Sequence, residues 1–586
     1  YEIASCLVGS EMCIRDRTKG VLILINGTCL RNAIISGANN IAKHKTSVDE
    51  LNIFPVPDGD TGTNMSMTMS SAAAALEKNE SDAVGQVASA CASALLRGAR
   101  GNSGVILSLL FRGFAQGLKE LDVMDGSHIA TALGIGVEAA YKAVMKPTEG
   151  TILTVARVAY EEGRAAAEEN KDPVFVWTAI CQGATDALRT TPELLPVLKK
   201  AGVVDAGGKG LCLIFEGMMS VFKDGYIIPN EEEEAASGAV SKPVSSDDFF
   251  RNAAAEFDQD ITFTYCTEFI VGRNPEVTAS PLELRAYLET IGDCVVVVDD
   301  DEIIKTHVHT ENPGQALQEA LKFGQLLTVK VENMKEQHRI AAEQNEQAKA
   351  KAAMETANQF EPAEPTEEIG FVSVAAGDGL QALFQDLGCS TVVSGGQTMN
   401  PSTQNILAAV MATPAKKVYV LPNNKNIILA AEQAAELAKD RTVVVVPTRT
   451  IPQGIAAMLA FDPELDGEDA VEQMMQAAGK VTTGQVTFAA RDSEYGGFKI
   501  KEGEILTLKN GKLTSVEKDP VKAAVKLTKS LCDHHTAFLT LIYGQDITEE
   551  QASEAKDAIQ RKVGSHVDIT LVRGGQPIYY FIISVE

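Results

Sequence analysis

The chain has 586 residues, a formal net charge of -27, and 45% hydrophobic and 22% charged residues. That length exceeds what one core organises and predicts about three or four domains. The acidic balance excludes nonspecific binding to nucleic acid or to an anionic membrane, since each needs a positive face.

Residues 1–19 are read as an artefact or a disordered segment. The run YEIASCLVGSEMCIRDR does not begin with Met, turns polar after Cys13 and lacks a small-residue cleavage site. Residues 20–226 are predicted to be helical: runs such as RNAIISGANNIAKH and NSGVILSLLFRGFAQGLKEL repeat apolar residues at i, i+3, i+4 and i+7. Short glycine-bearing turns join them, so an antiparallel bundle or barrel of about eight helices is expected. Residues 227–252 are acidic and small and read as a linker. Residues 253–335 change to β-branched strands mixed with helices, an α+β domain. A polar helix and an acidic, proline-containing break fill residues 336–368. From 369 to 586 strands and helices alternate as in an α/β domain, with Val443 to Val446 suited to a covered parallel strand and a hairpin turning at Asn510-Gly511. No apolar run reaches the ~18 residues of a transmembrane helix. The ten cysteines are scattered without a CxxC pair, which suits a cytoplasmic, reducing setting.

The first chemical candidate is LNIFPVPDGDTGTNM. Asp58 and Asp60 stand one residue apart in a loop stiffened by Pro55 and Pro57. Two close carboxylates repel unless a cation lies between them, and Mg²⁺ takes one or two carboxylates and completes its shell with water and substrate phosphates. Asn52 can add an amide oxygen, and Thr61 and Asn64 can bond phosphate or metal-bound water. The competing reading is that Asp60 caps a helix beginning near Thr63. GARGNSG places Gly101, Asn102, Ser103 and Gly104 before a helical run, as an anion cradle or as a glycine-rich cap. EGTILT gives Thr151 at another helix start, and VVDAGGKG gives Asp205 and Gly207 at a fourth. Four polar, glycine-bearing loops, each opening a helix, favour one shared site over four unrelated turns.

PDGDTGTNM, GARGNSG, MKPTEGTILT and DAGGKG together resemble the L-type nucleotide-binding domain of dihydroxyacetone kinases. The chain from about residue 20 onward, including GGQTMNPST and GGQPIY, resembles the ATP-binding subunits of bacterial fatty acid kinases. The resemblance implies an all-α eight-helix antiparallel barrel that binds ATP with Mg²⁺ at one end. It implies that Asp58 and Asp60 are catalytic metal ligands with Asn52 near them, and that Thr61, Gly62, Asn64, Gly101, Asn102, Ser103, Gly104, Thr151, Asp205 and Gly207 contact the nucleotide. The dihydroxyacetone kinase pattern carries an aspartate near Asn52 and one residue fewer before the DGD. The implied reaction is phosphorylation of a fatty acid presented by a DegV-like fatty-acid-binding protein, giving an acyl phosphate, with a homodimer as the assembly. A carboxylate is already anionic at neutral pH, so no general base is required, and His44 and His128 lie outside the four loops. The alternatives are a polyol kinase of the dihydroxyacetone type, which lacks here the partner domain with its covalent histidine, and a non-catalytic nucleotide sensor.

In the α+β region, His307 and His309 alternate on a strand and therefore share a face. With Cys266 they form a set suited to Zn²⁺, with Glu268 or water as a fourth ligand. The competing reading is a structural strand with satisfied imidazoles. The segment from Ser394 to Thr403 reads as an anion-binding turn or a polar loop, and Cys532, His534 and His535 as a strand-end cluster.

Overall fold

The computed structural model describes residues 24–52, 60–144, 147–230, 263–274, 277, 279–299, 303–335, 358–396, 399–465, 467–495 and 497–586. Asp58, most of the acidic linker and most of the polar helix expected after residue 336 lie outside the described residues. The chain divides into two compact units, Tyr1–Ala239 with Thr356–Glu586, and Val240–Glu355.

The first unit begins with a short antiparallel pair, β1 (Ile25–Asn26) and β2 (Val123–Met124). Its helices are α1 (Gly27–Lys43), α2 (Lys45–Asp49), α3 (Thr61–Leu76), α4 (Val84–Gly98), α5 (Gly101–Gly117), α6 (Gly126–Ala143), α7 (Ile152–Glu169), α8 (Pro173–Leu194), α9 (Pro196–Ala201) and α10 (Ala206–Asp224). The sequence period accounts for them: α1 buries Leu30, Ala33, Ile34, Ala38 and Ile41, one continuous stripe. α1 packs on α3 and α10, α5 on α4 and α6, and α7 on α8. Trp177 on α8 is only 2% exposed; its ring meets Phe215 and Phe222 edge-on, and its N–H donates to the Phe215 carbonyl at 3.1 Å.

The second unit is a four-stranded antiparallel sheet with two helices. It runs β3 (Tyr265–Arg273), α11 (Pro281–Ile291), β4 (Gly292–Asp299), β5 (Ile303–Thr310), α12 (Pro313–Ala320) and β6 (Gly324–Asn333). The spatial order β4-β5-β3-β6, with every pair antiparallel, is the split βαβ arrangement of ferredoxin-like domains. Phe269, Val271, Ile304 and Val308 point to the core with Leu284 and Leu288 of α11. The alternate positions therefore face away from that core, and Cys266, Glu268, His307 and His309 occupy them.

The described residues of the rest of the first unit hold two larger sheets and a separate two-stranded hairpin. β7 (Glu367–Val374), α13 (Asp378–Asp386), β8 (Thr391–Val393), α14 (Thr403–Ala412), β9 (Ala415–Leu421), α15 (Ile428–Leu437) and β10 (Thr442–Val445) form an all-parallel sheet in the order β10-β9-β7-β8. β10 is an edge strand, so Val443 to Val445 are only half-buried, while Val446 just beyond it is fully buried. α16 (Ile451–Leu459) and α17 (Gly467–Lys480) lead to β11 (Thr482–Phe488), the small hairpin β12 (Ser493–Tyr495) and β13 (Phe498–Ile500), and β14 (Ile505–Lys509). β15 (Lys512–Glu517), α18 (Pro520–Leu531), β16 (Phe538–Tyr543), α19 (Glu549–Val563), β17 (Asp568–Arg573) and β18 (Phe581–Val585) complete the chain. The second sheet is mixed, in the order β15-β14-β11-β18-β16-β17. Asn510 and Gly511 both take positive φ, 47° and 76°, as the tight turn between β14 and β15 demands.

The helical region and the parallel sheet share one apolar core: α14 packs on α4 and α15 on α5, and Val372, Ile406 and Ala430 belong to the same buried cluster as Leu95 and Leu110.

Candidate active site

Four helix starts meet at one cleft of about 300 Å³. Asn52 lines it from just beyond the end of α2, Thr61 from the start of α3, Ser103 from α5, Thr148 and Thr151 from α7, and Asp205 and Gly207 from α10, with Ile106, Val144, Ile152, Leu153 and Leu198 supplying an apolar wall. No histidine is among these residues: His44 closes α1 with its ring at the Asn40 carbonyl, and His128 pairs with Asp125 at the cap of α6.

Asp60 occupies the N-cap position of α3, yet its carboxylate makes no capping bond. The capping role falls to Asp49, at the end of α2, which sequence reasoning missed. Asp49 accepts from the amides of Gly62 at 2.6 Å and Thr63 at 3.2 Å, and from the Thr63 hydroxyl at 2.7 Å. Burial pushes the Asp49 carboxyl above its ordinary range, against the lowering effect of those bonds. The Gly62 amide is thus committed, and a Cβ there would lie 2.1 Å from the Lys45 carbonyl oxygen; this glycine serves the close packing of α3 on α2. Gly104 likewise packs on Thr68. The Thr61 hydroxyl donates to Asn52 Oδ1 at 2.8 Å, which ties the two cleft residues together.

At the start of α5, Gly101 takes φ +57°, a left-handed conformation, and a Cβ would stand 2.7 Å from Asn64 Nδ2. Asn102 Oδ1 is buried without a hydrogen-bond partner among the described residues, an acceptor that a bound donor or cation would satisfy. Thr151 caps α7 through the Leu153 amide at 3.4 Å. Asp205 caps α10 through the Gly208 amide at 2.7 Å. Burial raises the Asp205 carboxyl to about 6, with the Gly208 and Ile152 amides pulling the other way. A carboxylate that titrates near neutrality in a cleft is a common mark of a functional site.

The C-terminal region reaches this site, which no local pattern announces. Asn400 Nδ2 donates to Asp60 Oδ2 at 2.8 Å, and Arg100 donates to the Asn400 carbonyl at 2.9 Å. Arg491 donates to the carbonyls of Asp49, Glu50 and Asn52. The one sequence signal for the first of these contacts is that GARGNSG and GGQTMNPST both read as polar turns.

In the second unit, the ligand atoms of Cys266, His307 and His309 all lie within 4.8 Å of one another. His307 Nδ1 is 3.1 Å from Glu268, His307 Nε2 is 3.1 Å from His309 Nε2, and His309 Nδ1 is 3.4 Å from Asp293. The strands set this up by register, opposing Cys266 to His309 and Glu268 to His307. Burial, then the neighbouring His307, depresses the His309 imidazole below its ordinary value. The rings of His534 and His535 lie against each other at a tilt of 44° in the turn before β16.

The cleft thus sets hydroxyls, the Asn52 amide and one carboxylate, that of Asp205, beside an apolar wall. Residues 55–220 match the DAK2 domain, which gives the helical region its kinase class. Residues 262–341 match the middle domain, and residues 370–586 the C-terminal domain, of the FakA-like fatty acid kinase proteins. Protein YloV of Bacillus subtilis is 39% identical over 566 residues, covering 96% of this chain and 99% of that protein. An uncharacterized protein of Staphylococcus epidermidis is 39% identical over 565 residues, with coverage of 96% and 99%. The chain belongs to the FakA-like fatty acid kinase family, with a DAK2 domain at its N-terminal end. Among solved structures it shows weak likenesses. One is the dihydroxyacetone kinase of C. freundii (18% identity, 35% of this chain and 37% of that one, TM-score 0.27). Another is a DegV family protein from Thermus thermophilus (14%, 37% and 99%, TM-score 0.28). No described helix is long and apolar enough to cross a membrane.

Proposed function

We propose that this chain transfers the γ-phosphoryl group of ATP to the carboxylate of a fatty acid presented by a DegV-like fatty-acid-binding protein. An oxygen of the carboxylate attacks the γ-phosphorus, the bond to the β–γ bridging oxygen breaks, and ADP leaves with that electron pair while an acyl phosphate forms. The observation that carries the reading is the cleft itself, where Asn52, Thr61, Ser103, Thr151, Asp205 and Gly207 meet in a chain of this family. We read the helical region as an eight-helix antiparallel barrel, and the working protein as a cytoplasmic homodimer.

Asp60, with Asp58 and Asn52, would hold Mg²⁺. The donor chemistry fits: the Asp60 carboxylate and the amide oxygen of Asn52, which accepts from the hydroxyl of Thr61, the residue after Asp60, are hard oxygen donors. Mg²⁺ when bound neutralises charge on the transferring phosphoryl group. Gly101, Asn102 and Ser103 at the start of α5 would hold phosphate through backbone amides and the Ser103 hydroxyl, and Asn102 Oδ1, an acceptor with no partner among the described residues, would face a cation or a donor of the nucleotide. Ile106, Val144, Ile152 and Leu198 would cover the base. The acceptor carboxylate needs no proton removed, in keeping with a cleft whose lining includes no histidine. In the second unit, Cys266, His307 and His309 would hold Zn²⁺, with Glu268 or Asp293 at hand.

The test mixes protein, MgATP and a DegV-like carrier loaded with oleate, and traps acyl phosphate with hydroxylamine. Carrier-dependent hydroxamate is expected, and Asp60→Asn is expected to lower it at least ~100-fold, as loss of a metal ligand in phosphoryl transfer does. ADP release with dihydroxyacetone and no hydroxamate with the carrier would replace this reading by a polyol kinase.

A further inference from the structure

We propose that Asn400 is a positioning residue for Asp60, so that the C-terminal α/β region completes the metal site of the helical region. The inference rests on the proposed role of Asp60. Asn400 lies in the connection between β8 and α14, is 4% exposed, and donates its side-chain N–H to Asp60 Oδ2 at 2.8 Å across 340 residues of sequence. Its own place is fixed from the helical side. Arg100, 7% exposed, donates to the Asn400 carbonyl at 2.9 Å, while the Arg100 amide donates to the Thr68 hydroxyl at 3.2 Å. The Thr403 amide donates to the Ala99 carbonyl at 3.1 Å, which stitches the start of α14 to the start of α5. A Cβ on Gly101 would lie 3.5 Å from Asn400 Nδ2, so the amide sits directly against the GNSG turn.

The residue type suits the task. A carboxylate that serves a cation through one oxygen has lone pairs left over, and a donor on the other oxygen fixes its rotamer. An amide donor carries no charge and does not titrate near neutral pH, so it holds Asp60 in place without neutralising the charge that attracts the cation. A lysine in the same place would compete with the metal. Both partners are nearly or partly dry, which strengthens the bond relative to one in water.

The experiment uses the full chain with ADP and follows Mn²⁺ binding by electron paramagnetic resonance, alongside thermal unfolding. Four variants are compared with wild type: Asn400→Ala, Asn400→Leu, Ser402→Ala and Asp60→Asn. Leucine matches asparagine in bulk but removes the donor, so it guards against a simple packing defect. Ser402 caps α14 through the Asn405 amide at 3.1 Å and tests loop disturbance alone. Both Asn400 variants are expected to weaken ADP-dependent Mn²⁺ binding about tenfold, the worth of a hydrogen bond to a charged group. Ser402→Ala is expected to stay within about twofold while losing thermal stability. Wild-type Mn²⁺ affinity in both Asn400 variants, with binding lost in Asp60→Asn, would overturn the role of Asn400 and leave the metal reading standing. Equal losses in the Asn400 and Ser402 variants would overturn it too, as a general loop effect. Wild-type binding in Asp60→Asn would instead remove the metal from Asp60 and take both readings down.

Discussion

Replacing Asp205 by Asn should stabilise the helical region in a pH-dependent manner. A carboxyl that titrates at 3.8 when unfolded and at about 6 in its native place binds its proton more tightly when folded. Between those values the folded state holds more protons than the unfolded one, so wild-type stability falls as pH rises from about 4 to 6. Below that window the carboxyl is neutral in both states and costs nothing. Above it the full penalty applies, at most about 3 kcal/mol at ~1.4 kcal/mol per pKa unit. The group is partly exposed and screened, so about half of that, roughly 1.5 kcal/mol, is the working expectation. Asn keeps the cap on α10, since the two residues are nearly equal at that position. The assay is urea unfolding without nucleotide, followed by tryptophan fluorescence. Trp177 is the chain's single tryptophan and is buried in the same helical region, so the signal reports the relevant unit. Asp205→Asn should exceed wild type by roughly 1.5 kcal/mol at pH 7.5, and by about 0.5 kcal/mol less at pH 5.0. A difference that does not change between the two pH values, or a variant less stable than wild type at pH 7.5, would refute the claim that Asp205 carries a desolvation cost. Nucleotide affinity should move the other way, weakening in the variant, because that cost is characteristic of a group kept for binding.

Two further expectations follow. Gly101→Ala forces a side chain into φ +57° and within 2.7 Å of Asn64 Nδ2; it should cost about 1–2 kcal/mol in the same unfolding assay and weaken ADP binding at least ~10-fold by calorimetry, and unchanged ADP affinity would remove the GNSG turn from the site. The second unit should bind one Zn²⁺ per chain by elemental analysis, and Co²⁺ substitution should give the intense visible bands of a thiolate-containing tetrahedral centre; His307→Ala should abolish the metal and Cys266→Ser should remove the thiolate band, whereas metal content unchanged in both would leave the cluster a structural strand face.

Much of the architecture follows from local pattern because it is local physics. The stripe from Leu30 to Ile41 makes α1 amphipathic wherever it packs. Asn510-Gly511 turns a hairpin because those residues tolerate positive φ. His307 and His309 share a face because strand side chains alternate, and their register against Cys266 then brings the ligand atoms together. The four polar helix starts are legible for the same reason, as glycine and capping residues at the head of apolar runs.

What the tertiary structure decided is everything that depends on which groups meet. Asp60 has the position and chemistry of a cap, but Asp49 takes the amides of Gly62 and Thr63, and only the fold of α2 against α3 brings it there. Gly62 and Gly104 stand in the predicted loops yet serve close packing. Asn400 and Arg491 belong to a different fold class and lie hundreds of residues downstream, and no period or spacing ties them to a helix start. Asn400 reaches it because α14 and α15 bury apolar faces against α4 and α5. A sequence lists the groups that can make a polar contact; the burial of apolar surface elsewhere in the molecule selects the pairs that do.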